Sequence, residues 1–292
     1  MTGMRRQPDL EITSPANARV KELVALRRRR VRDAERVMLV EGLEESALAV
    51  DAGASVRTLF HCPELFPQLG NSLVVGVGSR GGAASADAAT ALVERVRDSG
   101  AEVIRLSRPA FEKAAYRQGP DGILLVADSI ERTLDELSGV VGERPLILVS
   151  QGVEKPGNLG AMLRTADAVG VDAVIAADPV TDWANPNVVR GSKGTVFAVP
   201  VASATSGEVF AWLRERGIRA VATTPGTELL HTDADLTGGV AILMGTEKEG
   251  LTEAAIEQAD VRVRIPMSGL VNSLNVATAA AVVLYEAVRQ RS

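Results

Sequence analysis

Aromatic side chains are scarce in this chain, making up 3% of its 292 residues. Any core must therefore be aliphatic, and a hydrophobic fraction of 46% is ample for two. Cysteine is rarer still. A single one, Cys62, excludes an internal disulfide framework and a cysteine-based zinc site. Only two histidines are present, His61 and His231. His61 adjoins Cys62, but two adjacent donors do not make a coordination sphere, so no metal is expected. Long apolar runs are absent too: none approaches the roughly 18 residues that a membrane span needs. No secretory pattern opens the sequence, and a reducing cytoplasm is the expected location.

Net charge is −5, which on its face argues against a nucleic-acid partner. Its distribution does not. Residues 1–36 carry ten Lys/Arg against five acids, a net of +5, which leaves −10 for the rest. The run Arg27-Arg28-Arg29-Arg30 is the densest part of this basic head. Such a head can steer a polyanion, and equally it can be the solvated face of a helix.

At 292 residues the chain exceeds the roughly 100–200 of one domain, so two are expected. A helix is predicted from Ser14-Pro15 to about Arg30, and a strand at 37–40 is followed by a helix to about Val50. Further strands are expected at 56–60, 73–77, 102–106 and 123–127, with helices ending at Asp98 and spanning 109–115. This alternation implies an α/β layer structure. Residues 128–144 are polar and read as a linker, between a first domain at 1–127 and a second at 145–292. In the second half, short apolar strands are expected at 146–149, 173–176, 197–201, 220–223, 240–244 and 261–265, as in a parallel sheet covered on both faces. Helices are expected at 159–169, 207–216, 253–258 and 274–289.

Ligands of open α/β sheets bind beyond the carboxyl ends of the strands. Three loops there carry unusual residues. The first runs from Gln151 into a helix, with Asn158 as the expected N-cap. Arg164 lies off that helix's apolar stripe and leans back over Gly160, where the missing side chain leaves room for a guanidinium. The second, Gly245-Thr246-Glu247-Lys248-Glu249-Gly250, offers a backbone that a ligand can approach and a carboxylate that can orient Arg164 or a substrate group. In the third, Ile265-Pro266-Met267 leads to Ser273 and Asn275 at the mouth of a long Ala/Val-rich helix, Ser273 as the expected cap.

Taken together, Asn158-x-Gly160-x-x-x-Arg164-x-Ala166, Gly245-Thr246-Glu247-x-x-Gly250-Leu251 and Ile265-Pro266-Met267 with Ser273-Leu274-Asn275-Val276 resemble the three motifs of the SpoU (TrmH) 2′-O-methyltransferases, in order and in spacing. Ala277 departs from the serine of many members. Val40-Glu41-Gly42 and Gln118-Gly119-x-x-Gly122-Ile123 resemble, more weakly, the family's L30e-like substrate-binding domain. The resemblance implies an N-terminal L30e-like α/β domain and a C-terminal SPOUT-type parallel-sheet domain threaded by a deep trefoil knot. It implies a homodimer, with S-adenosylmethionine held near the interface by backbone around Thr223, Gly245, Ile265, Met267 and Leu274. Arg164 is then the catalytic residue. Asn158, Ser273 and Asn275 orient a ribose, and Glu247 holds a neighbour in place. The implied substrate is 23S rRNA, gripped in part by Arg27, Arg28, Arg29 and Arg30. A resistance role against a ribosome-targeting antibiotic is also implied.

Three alternatives stay open. One is a tRNA substrate, and another is an RNA-binding module without activity. The third is a nicotinamide site, suggested by Gly76-Val77-Gly78-Ser79-Arg80-Gly81 after an apolar run. That glycine motif lacks the prompt helix and the acid about 20 residues on that such a site requires.

Overall fold

The computed structural model describes residues 10–66 and 86–292. The strand expected at 73–77 and the formal glycine motif at 76–81 lie outside the described residues. Two compact units meet in sequence between Ser129 and Ile130.

The first unit is built on a five-stranded sheet. Its strands are β1 (Leu10–Ile12), β2 (Val37–Glu41), β3 (Val56–His61), β4 (Glu102–Leu106) and β5 (Ile123–Asp128), in the order β1-β4-β3-β5-β2. β1, β4 and β3 run parallel, whereas β5 is antiparallel to β3 and to β2. Among the described residues, five helices accompany it: α1 (Ala18–Ala25), α2 (Arg29–Glu35), α3 (Leu43–Asp51), α4 (Ala86–Asp98) and α5 (Arg108–Ala114). The single helix expected from Ser14 to Arg30 is in fact two. Asn17, not Ser14, caps α1, accepting from the Arg19 N–H at 2.9 Å. The chain then breaks after Ala25. Arg32, only 3% exposed, turns inward there and donates to the carbonyls of Leu26 and Arg27, both at 3.0 Å. Those carbonyls belong to the orphan group at a helix end, and the guanidinium satisfies them.

In the second unit seven strands are all parallel: β6 (Glu131–Arg132), β7 (Leu146–Gln151), β8 (Ala173–Ala177), β9 (Val201–Ala204), β10 (Arg219–Thr223), β11 (Val240–Met244) and β12 (Val261–Val263). Their order is β12-β10-β11-β7-β8-β9-β6. Both faces are covered. On one, α6 (Leu134–Ser138), α9 (Ser206–Glu215) and α10 (Glu253–Gln258) pack on Ile147, Val149, Ile175, Ala222 and Leu243. The alternate residues Leu148, Val174, Val221 and Ile242 are equally buried. α7 (Pro156–Val169) and α11 (Val276–Arg291) pack against each other, and α11 against β11. A short helix, α8 (Pro186–Gly191), was not expected from the sequence.

Two further readings change. The strand expected at 197–201 is a turn of 3₁₀ helix, Thr195–Phe197, followed by β9. Pro200 has no N–H for a ladder, so pairing opens with its carbonyl, which accepts from Val174 N–H at 2.9 Å. Residues 128–144, read as a linker, contain β6 and α6. Thr133 and Glu136 form a reciprocal capping box, Leu137 is fully buried, and the Trp212 indole N–H reaches Ser138 Oγ at 3.0 Å. One apolar side chain and one cap are enough to seat so short a helix, and a hydropathy pattern over so few residues does not reveal it.

Candidate active site

After β7 the chain proceeds outward through β8 and β9, then returns to the other side of β7 as β10 and β11. The carboxyl ends of β7, β11 and β10 thus lie side by side at a topological switch point, where such sheets leave a crevice. A pocket of about 350 Å³ opens there. Thr223, Gly245, Ile265, Met267 and Leu274, the five expected cofactor residues, all line it. So do Glu247 and Ser273. Its volume falls in the range of small-molecule sites.

Met244, at the end of β11, and Ile265, Met267 and Leu274, from the segment between β12 and α11, make its walls largely apolar. One polar atom stands out. Thr223 Oγ1 is buried and has no hydrogen-bond partner. An orphaned buried hydroxyl costs roughly 1–3 kcal/mol and is explained by a ligand group that completes it. Apolar walls for a purine and a hydroxyl waiting for a polar group suit S-adenosylmethionine. The described residues contain no cluster of His, Cys, Asp or Glu fit to hold a metal.

Beside the pocket, one hydrogen-bonded chain joins the three motif loops. Asn158 Nδ2 donates to Glu247 Oε1, and Asn275 Nδ2 donates to Asn158 Oδ1 at 3.1 Å. The Asn275 carbonyl oxygen in turn accepts from the Ala277 and Thr278 N–H groups at 3.0 and 3.3 Å. Asn275 is therefore the cap of α11. Ser273 lies two residues outside the helix in an exposed loop, and the expectation that it caps α11 is corrected. Asn158 is likewise not a cap. α7 starts earlier, with Pro156 in its first turn, because the fixed φ of proline suits that position. This frees the Asn158 amide to bridge Glu247 and Asn275.

Two glycines stand where a backbone passes close by. A Cβ on Gly160 would sit 2.6 Å from the backbone carbon of Gly191, so the residue lets the start of α7 close on the end of α8. It does not make room for Arg164. A Cβ on Gly245 would lie 1.9 Å from the Gly250 backbone. There the chain folds back on itself, with paired Thr246–Gly250 backbone hydrogen bonds of 2.9 and 3.1 Å.

Arg164 is exposed on α7 and does not line the pocket of its own chain. The arginine run is divided. Arg27 is half-buried and donates to the carbonyls of Lys113 and Ala114 at 3.0 and 3.3 Å, and to that of Ala115. It holds the end of α5. Arg28, Arg29 and Arg30 are exposed, and Arg29 lies 3.5 Å from Asp33. Sequence reasoning missed Thr224 and Pro225, which line the pocket directly after β10. The strand-end rule pointed there, but the segment has no recognisable motif.

The two halves of the chain match two different family models. The model of the SpoU rRNA Methylase family matches residues 145–285, and that of the MRM3-like substrate binding domain matches residues 17–125. The 23S rRNA (guanosine-2'-O-)-methyltransferase RlmB of Ralstonia nicotianae is 41% identical over 165 residues, 56% of this chain. The alignment spans 66% of that relative's length, just under two thirds. A crystal structure of an RNA 2'-O ribose methyltransferase is 38% identical, with a TM-score of 0.75, and the match covers 97% of this chain and 99% of that one. The SpoU methyltransferase AviRb from Streptomyces viridochromogenes, in complex with AdoMet, is 31% identical with a TM-score of 0.77, over 94% of this chain and 99% of its own.

Proposed function

This chain belongs to the SpoU rRNA methylase family, and from that premise we propose that it methylates a ribose 2′-oxygen of 23S rRNA, using S-adenosylmethionine. The observation that carries this reading is the convergence of the segments after β10, β11 and β12 on one pocket, with the Glu247–Asn158–Asn275 chain at its side.

Thr223, Gly245, Ile265, Met267 and Leu274 would hold the cofactor, and the Thr223 hydroxyl would meet one of its polar groups. When bound, the cofactor supplies a methyl group on a sulfonium, already activated for transfer. The protein's task is then the nucleophile. Asn158 is fixed at both ends of its amide, and Glu247 keeps its second oxygen, Oε2, for a hydroxyl proton or a cation. Ser273 offers an exposed hydroxyl at the rim. Fixing the ribose in line relieves part of the barrier as orientation, worth about 7–11 kcal/mol in the best cases. Arg164 acts as a fixed positive charge with a planar fork of N–H donors rather than as a base. It would grip the neighbouring phosphate and stabilise the developing oxyanion.

A second copy of the chain completes this site. Residues 268–275 are all exposed, among them Leu270, Val271 and Leu274, and Tyr285 of α11 stands 55% exposed beyond them. Such an apolar surface is covered in a stable protein. A homodimer across α7 and α11 would cover it, and would bring the second copy's Arg164 to a pocket that its own chain does not supply. A trefoil knot in the second unit is part of the same reading, as is RNA contact through the exposed Arg28, Arg29 and Arg30. Protection of the ribosome from an antibiotic would follow if the methylated ribose lies where such a drug binds.

Arg164→Ala tests the assignment. Methyl incorporation into 23S rRNA should fall at least about a hundredfold, the scale of losing one oxyanion stabiliser. Calorimetry should find cofactor affinity unchanged. Full activity would remove Arg164 from the mechanism, and transfer to tRNA instead of rRNA would reassign the substrate.

A further inference from the structure

We propose that Gln151 is a positioning residue for the cofactor loop 245–251, which it anchors from behind without touching the ligand; this rests on the function proposed above. Gln151 ends β7, is 5% exposed and does not line the pocket. Every polar atom of its amide is used. Its Oε1 accepts from the Thr252 N–H at 3.0 Å, and its Nε2 donates to Ser206 Oγ at 2.7 Å and to Thr252 Oγ1 at 3.1 Å. The Ser206 hydroxyl donates in turn to Asp178 Oδ2, and its backbone N–H donates to Oδ1 at 3.0 Å. The ends of β7 and β8 and the starts of α9 and α10 are thereby joined through one buried amide.

Thr252 directly follows Gly250 and Leu251, both of which line the pocket. At its other end the loop is held by Glu247 through Asn158. The loop therefore has two footings, and the Thr246–Gly250 turn stiffens the span between them. A loop already fixed in its binding shape loses little freedom when the ligand arrives, so affinity depends on the footing as well as on the contacts. Leucine at 151 fills similar space and makes none of the three bonds. Glutamate keeps only the acceptor.

The test compares Gln151→Leu and Gln151→Glu with Arg291→Ala. Arg291 donates to the carbonyls of Arg144, Pro145, Leu236 and Gly238, which precede β7 and β11 at the amino ends of the strands, so its loss destabilises the unit without touching the loop. Calorimetry with S-adenosylmethionine, thermal unfolding without it, and hydrogen exchange at the Thr252 amide are measured on the full chain. Gln151→Leu should weaken the cofactor by about tenfold and speed that exchange, with Gln151→Glu in between, while Arg291→Ala at a similar loss of Tm stays within about twofold. If Gln151→Leu does not fold, Ser206→Ala, which removes one of the three partners, should show the same trend in reduced form. Equal affinity in wild type and Gln151→Leu overturns the proposal, and so does equal weakening by Arg291→Ala. Wild-type protein that does not bind S-adenosylmethionine overturns the functional reading itself.

Discussion

Thr223 carries a cost that only a ligand repays. Its hydroxyl is buried at the pocket wall with nothing to bond. Valine has nearly the same shape and no polar atom, so Thr223→Val should stabilise the ligand-free protein by about 1 kcal/mol. The same change should weaken S-adenosylmethionine, because the completing bond is gone. Urea unfolding and calorimetry would read the two effects separately, and a variant that is both less stable and equally tight would remove Thr223 from the site. Gly160 and Gly245 are residue-scale features of a different kind. Each is small because a backbone passes where its Cβ would be, and those approaches hold the start of α7 and the cofactor loop in place. Their presence was legible in the sequence. Their purpose was not, since the passing segments lie about 30 residues away in one case and five in the other.

At the scale of elements, α11 begins where it does because of Asn275. One side chain does two things: its oxygen caps the helix, and its amide donates to Asn158. These roles can be separated. Asn275→Ala should cost about 1 kcal/mol of stability, the usual worth of a cap. Asn275→Ser should recover most of that stability, because serine caps well, while methyl transfer stays low because no donor reaches Asn158. Recovery of both would reduce Asn275 to a cap. The helices and strands of the second unit were largely readable from apolar runs and strand-end glycines. The two misplaced caps, Asn158 and Ser273, arose because a capping residue type near a helix start does not fix which residue is the cap. Asn158 was displaced by Pro156, and Ser273 by an asparagine two residues on.

Across the whole molecule, two buried carboxylates, one in each unit, should respond to acid with opposite sign. In the second, Glu286 is only 9% exposed and its carboxylate accepts from Arg289 at 2.7 and 2.8 Å and from Gln290 at 2.7 Å. These bonds hold its pKa down from 4.5 to about 2. A depressed carboxylate contributes stability that is present above its unfolded pKa and is lost as pH falls through the folded one. Glu286→Gln should therefore flatten the loss of stability between about pH 4.5 and 2. In the first unit, burial pushes the Glu45 carboxyl above 4.5. Ionising it costs stability at neutral pH, and that cost fades as pH falls toward 4.5. Glu45→Gln should raise Tm at pH 7, with the gain shrinking on acidification. Thermal unfolding across pH would show both, and parallel curves for wild type and variants would contradict the assignment.

The alternation of short apolar strands with helices determined the α/β class, because a chain buried on both sides of a parallel sheet has few other patterns open to it. The resemblance of their motifs to those of the SpoU family also marked Asn158, Glu247 and Asn275 as a set. Only the tertiary structure decided that these residues form one hydrogen-bonded chain, that Arg164 does not line its own pocket, and that Arg27 supports a helix end instead of standing free. Sequence fixes which groups are available along the chain. Which of them meet depends on strand order, and the return of β11 beside β7 pairs Val240 with Leu146, segments some 94 residues apart, beyond the reach of any local pattern.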